Sequence, residues 1–110
     1  MREKFLYDIN GYKWRVFFEK REKMNGNDGM CKPNDLQIVI DIDLSDQAQI
    51  LTFSHEIVHA ILDTQGRTYQ KKFGLEEVCE LIAWQNKSIY ELIEQFKKDL
   101  HDAIYDDKGY

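Results

Sequence analysis

Tyr12, Trp14, Val16 and Phe18 alternate with Lys13, Arg15 and Phe17, the two-residue period of a strand with one buried face. Phe5 to Ile9 precedes them across Asn10-Gly11, the strongest two-residue turn signal, so residues 5–19 are expected to form a hairpin. Lys20 to Gly29 is polar and glycine-bearing and reads as a loop. Its Asn25-Gly26-Asn27-Asp28-Gly29 stretch lacks the ligand spacing and terminal Glu of a calcium-binding loop. Leu36 to Ile42 is a β-branched run between Pro33-Asn34-Asp35 and Ser45, which predicts a third strand. The period then lengthens. No proline interrupts residues 45–65, and apolar residues lie nearly all around that segment, which predicts a helix buried between other elements. Ser45 is its N-cap, Asp46 favours the positive end of its dipole, and Gly66 is a C-terminal stop.

A second long stretch places Leu75, Val78, Cys79, Ile82, Ile89, Leu92, Ile93, Phe96 and Leu100 along one helical stripe, with a break expected near Asn86. The order is strand, strand, loop, strand, helix, helix. It predicts a single α+β domain over residues 1–110: a small N-terminal antiparallel sheet, then two helices, the second one long.

The first helix carries the chemistry. His55-Glu56-Ile57-Val58-His59 reads H-E-x-x-H. Residues four apart share a helix face, so His55 and His59 are spaced to grip one zinc ion through neutral ring nitrogens. Glu56 sits beside such a metal rather than on it, where it can take a proton from a zinc-activated water and return it. The apolar flanks, Ile50 to Phe53 and Ala60 to Leu62, supply the buried helix this motif requires. The spacing describes a metal-activated hydrolase.

A catalytic zinc site takes three protein ligands and leaves one position open. The third-histidine spacing of metzincins is absent, because positions 62 and 65 are Leu62 and Gln65. The next acids, Glu76, Glu77 and Glu80, open the second helix. Glu76 and Glu80 share a face, so one can bind zinc while the other accepts a hydrogen bond from a ligand histidine. Glu76 is assigned as third ligand and Glu80 as its supporting acceptor; the swapped roles are the alternative. Glu77 reads as a solvated first-turn acid.

This arrangement resembles the gluzincin branch of the zincin metallopeptidases: a two-histidine helix, a short connection and a helix bearing a glutamate. The segment Glu76-Glu77-Val78-Cys79-Glu80-Leu81-Ile82-Ala83 is also similar to the E-x-x-C-N-x-x-A segment of ImmA/IrrE-like metallopeptidases, bacterial and mobile-element proteins some of which cleave repressors. The resemblance covers about residues 36–85 and puts the family's metal-binding glutamate on Glu76 and its cysteine on Cys79. Glu80 stands where the family has Asn, and Trp84-Gln85-Asn86 replaces its acid-rich continuation. In size the chain is similar to small phage-encoded zincin-like proteins. The resemblance implies a minimal zincin-like fold, in which the strand before the active helix edges the cleft and pairs with an extended peptide. Asp41 and Asp43 on that strand then read as edge charges that discourage unwanted pairing. The resemblance also implies an oxyanion donor on the far wall, with Tyr69, His101 and Tyr105 as candidates. Mostly helix follows the active helix, so the groove is expected to be open and shallow.

Composition narrows the partners. A net charge of −5 opposes nucleic acid as the main partner, since phosphate binding needs a basic face. Basic residues cluster before Met24 and acids in the tail, the ordinary pattern of solvated faces. No 18-residue apolar run crosses a membrane, and the start is polar rather than signal-like. Cys31 and Cys79 are far apart and in no C-x-x-C pair, which fits reduced thiols in the cytoplasm. The resulting expectation is a cytoplasmic zinc-dependent metalloendopeptidase that uses Glu56 as general base on a protein or peptide substrate such as a regulator. The alternative is a catalytically inactive zincin-fold binding or regulatory module of phage or mobile-element origin.

Overall fold

The computed structural model describes the backbone of residues 2–64 and 75–107, and the side chains of residues 5–62 and 86–103. It shows a small α+β domain. Strands β1 (Arg2–Ile9) and β2 (Tyr12–Glu19) form the expected hairpin. Asn10 and Gly11 both take positive φ, 52° and 88°, as a type I′ turn demands. The Asp8 carboxylate accepts the Gly11 N–H at 2.9 Å and steadies the turn.

The segment expected to be a loop holds more structure. A short 3-10 turn, Arg21–Met24, leads to strand β3 (Gly29–Lys32); a second, Pro33–Asp35, leads to β4 (Gln37–Asp41). β3 is four residues long and half-buried throughout, so it has no alternation to betray it.

The sheet order is β1-β2-β4-β3. β1 pairs antiparallel with β2 and β3 antiparallel with β4, but β2 and β4 run parallel. The sheet is therefore mixed rather than antiparallel. The physical reason is the outward excursion through β3, which returns the chain so that β4 enters in the direction of β2. Two expectations change with it. β4, the strand before the first helix, is interior, and β3 is the edge. Asp41, expected as an edge charge, is 3 % exposed. Its carboxylate accepts the Arg21 Nε–H at 3.1 Å and the Asp43 N–H at 3.0 Å. Asp43 lies exposed beyond the strand end.

Helix α1 (Asp46–Thr64) starts as predicted: Ser45 Oγ accepts the Ala48 N–H at 3.2 Å, and Ser45 O accepts that of Gln49. Gly66 lies outside the described residues. Helix α2 (Leu75–Asp107) runs without the break expected near Asn86. Nothing in that stretch removes a backbone donor, and one polar residue does not interrupt a helix.

One face of the sheet carries the main core. Tyr7, Ile9, Trp14, Val16, Ile38 and Ile40 meet Phe53, Ile57, Ala60 and Ile61 of α1, with Phe96 and Leu100 of α2. The rings of Phe53 and Phe96, 4.1 Å apart, join the two helices. On the opposite face, Phe17, Val39 and Met24 form a second, smaller cluster. Among the described residues, no helix is long and apolar enough to cross a membrane.

Candidate functional site

α1 is pinned to the sheet by Phe53, Ile57, Ala60 and Ile61, each fully buried. That stripe turns the other side of the helix outward and leaves His55 and His59 exposed on it. Their Nε2 atoms converge to 3.3 Å, with ring centroids 4.9 Å apart and planes inclined at 67°. Two nitrogens bound to one tetrahedral zinc at about 2.05 Å each stand roughly 3.3 Å apart. The pair is thus spaced as two ligands of a single ion would be.

Glu56, next to His55 on the helix, is 7 % exposed. It packs where α1 crosses the edge strand. A Cβ placed on Gly29 of β3 would come within 2.5 Å of Thr52 Cγ2 and 3.4 Å of Glu56 Cγ. Gly29 is needed here for close approach, not for an unusual φ. Burial raises the Glu56 carboxyl above the ordinary carboxylate value, an effect partly opposed by neighbouring His55 and His59. A carboxylate adjusted this way is a better proton acceptor than a solvated one.

An open groove of about 340 Å³ runs along this junction, with Asp28 and Gly29 on one side and Leu51, Thr52, His55 and Glu56 on the other. Its sheet-side wall is held by one guanidinium. Arg21 donates through Nε to Asp41 and through Nη2 to Asp28. The Asp28 carbonyl also accepts the Asp41 N–H at 2.8 Å. A separate cavity of about 200 Å³ lies between the β1–β2 hairpin and α2, lined by Asp8, Ile61, Glu91 and Gln95 among others, and contains neither histidine of the pair.

The structure brings together three of the five residues assigned from sequence: His55, Glu56 and His59. Glu76 and Glu80 lie in the first turns of α2, and their side chains are outside the described residues, as are those of Tyr69 and Tyr105. His101 is exposed on α2, with Nδ1 3.8 Å from Asp102 Oδ1, and does not line the groove. Among the described residues, no group of three or more His, Cys, Asp or Glu is placed to hold a metal ion. Sequence reasoning missed Arg21, Asp28, Gly29 and Leu51. The last three line the groove through tertiary packing, and no local spacing announces them. No family model, no curated protein and no solved structure matches the chain.

Proposed function

We propose that the protein is a zinc-dependent metallopeptidase with a minimal zincin-like arrangement. The observation that supports this reading is the 3.3 Å convergence of His55 and His59 Nε2 beside a buried Glu56. His55 and His59 would hold the metal, with Glu76 as third ligand and Glu80 behind it. When bound, zinc would polarise a water and the scissile carbonyl. Glu56 takes the proton of the attacking water and passes it to the leaving amine. β3 replaces the strand before the helix as the edge that an extended peptide would join, because it is the outer strand and borders Glu56. A protein substrate such as a regulator, and a cytoplasmic site of action, belong to the same proposal.

The test is metal content of protein purified without chelator. The expected result is about one zinc per chain, the stoichiometry of a catalytic site. His59→Ala loses it, one of Glu76→Ala and Glu80→Ala loses it, and Glu56→Gln keeps it while abolishing peptide cleavage. A wild-type chain that neither carries zinc nor takes it up at neutral pH overturns the reading.

A further inference from the structure

We infer that Gly29 is a positioning residue for Glu56: its missing side chain lets β3 close on α1 and hold the glutamate stem beside the histidine pair, largely out of water. The shielding stands on packing alone, and its consequence for cleavage rests on the peptidase reading of the same groove.

Three observations carry it. The first is how Glu56 is held. It is buried, yet among the described residues no hydrogen bond fixes its carboxyl; burial and the charges of His55 and His59 are what act on it. Buried polar groups usually have a hydrogen-bonding partner. One that lacks it is oriented by what its methylene groups touch. The second is what touches it. Gly29 faces the turn of α1 that carries Thr52 and Glu56, and a Cβ there would stand 3.4 Å from Glu56 Cγ. The bare Gly29 backbone therefore lies just beyond the glutamate stem. The same Cβ would stand 2.5 Å from Thr52 Cγ2, so helix and strand lie closer than a side chain at position 29 permits. Backbone conformation does not call for glycine here, since Gly29 is not among the residues of positive φ. Glycine inside a strand weakens it and marks a close approach.

The third is where the strain of an added methyl would go. β3 is fixed from behind: Gly29 pairs with Ile40, Met30 with Val39, and the Asp28 carbonyl accepts the Asp41 N–H at 2.8 Å. The Val39 carbonyl oxygen, 3.2 Å from the new methyl, stops it from turning towards the sheet. The relief left is separation of β3 from α1, from 2.5 Å to the 3.4 Å at which ordinary contact begins. That gap opens beside Glu56. The glutamate then loses the wall that sets its direction, and water enters along its stem.

The test is carboxyl labelling, which needs neither metal nor turnover. Each chain is treated briefly with a carbodiimide and glycine ethyl ester, which turn water-accessible carboxylates into amides, and the labelled positions are read by peptide mass spectrometry. In wild type Glu56 is expected to label more slowly than Glu91, whose side chain is 63 % exposed. In Gly29→Ala the Glu56 rate rises several-fold, and Gly29→Ala/Thr52→Ser, which removes Cγ2, brings it part of the way back. Leu100→Val, a core truncation outside the groove, controls for general loosening and keeps Glu56 slow. Circular dichroism checks the fold; where Gly29→Ala alone unfolds, the double variant against Thr52→Ser makes the same comparison. In the zinc-loaded chain, Gly29→Ala keeps its metal and loses kcat by about a hundredfold, the effect of a misplacement on the order of 1 Å. Glu56 labelling unchanged in Gly29→Ala, or raised equally in Leu100→Val, overturns the inference and leaves the peptidase reading standing. Cleavage by Gly29→Ala at the wild-type rate does the same. Labelling that follows the expected pattern in a wild-type chain that cuts no peptide supports the shielding role of Gly29, and the peptidase reading alone falls.

Discussion

Tyr7 shows how much one hydroxyl can tie together. Its ring is buried in the core, and its O–H donates to Asp99 Oδ2 at 2.6 Å, joining β1 to α2. Gln95 supports the same carboxylate through Oδ1 at 3.0 Å. Burial first, then the bond to Asp99 and its negative charge, push the phenol well above its ordinary value of 10.0. A group raised in this way favours the folded state fully below its unfolded value, and that support is lost as pH climbs past it. Stability should therefore fall as pH rises above 10.0. Tyr7→Phe is expected to cost about 1.5 kcal/mol at neutral pH, the worth of a hydrogen bond to a charged group. It should also flatten the alkaline decline. Urea denaturation at neutral and alkaline pH measures both, and a variant with the wild-type alkaline slope would dismiss Tyr7 as its source.

At this scale the sequence was an uneven guide. The histidine pair was legible because helical spacing alone sets which side chains meet. Asp41 was misread because an acid on a strand looks the same whether it faces water or is buried beneath a guanidinium. Trp14 was legible as core, but its indole N–H, fully buried, finds no acceptor among the described residues. No pattern along the chain foretells that.

Among elements, the contact between α1 and β3 decides most. Gly29 lets the helix sit directly on the edge strand, and a methyl there would stand 2.5 Å from Thr52 Cγ2 and 3.2 Å from the Val39 carbonyl oxygen. Gly29→Ala should cost about 1–3 kcal/mol, the usual penalty for overpacking. Thr52→Ser in the Gly29→Ala background should recover part of the loss, because the Val39 oxygen stays too close. Denaturant midpoints of the two single variants and the double variant test this; an unimpaired Gly29→Ala would show that β3 slides freely from the helix. The elements themselves were mostly legible: the hairpin from Asn10-Gly11, α1 from its cap and stripe, α2 from its period. β3 was not, because four half-buried residues that begin with a glycine carry neither alternation nor length.

For the whole molecule, pairing was the least legible property. Sequence patterns reveal strands but not partners, and the parallel alignment of β2 with β4 depends on an excursion whose geometry is tertiary. The proposed metal would act at this scale too. With His55 and His59 on α1 and Glu76 on α2, a bound ion would cross-link the two helices. Zinc at 100 times its dissociation constant should add about 2.7 kcal/mol and raise the melting temperature by roughly 10 °C for a domain of this size. Thermal unfolding with and without zinc measures the shift, and His59→Ala should abolish it. A zinc-independent melting temperature in wild type would remove the cross-link.

The parallel seam between β2 and β4 also sets an order of events. The β1–β2 hairpin closes through a two-residue turn and can form within microseconds. β4 can join β2 only after residues 20–36 have looped back, a slower closure with its entropy spent in advance. The groove walls, Asp28 and Gly29 on one side and α1 on the other, acquire their spacing only when β4 has docked and drawn β3 with it. A nascent chain therefore completes its hairpin before it has a groove, and the histidine pair can meet a ligand on a lone helix before Glu56 is shielded from water.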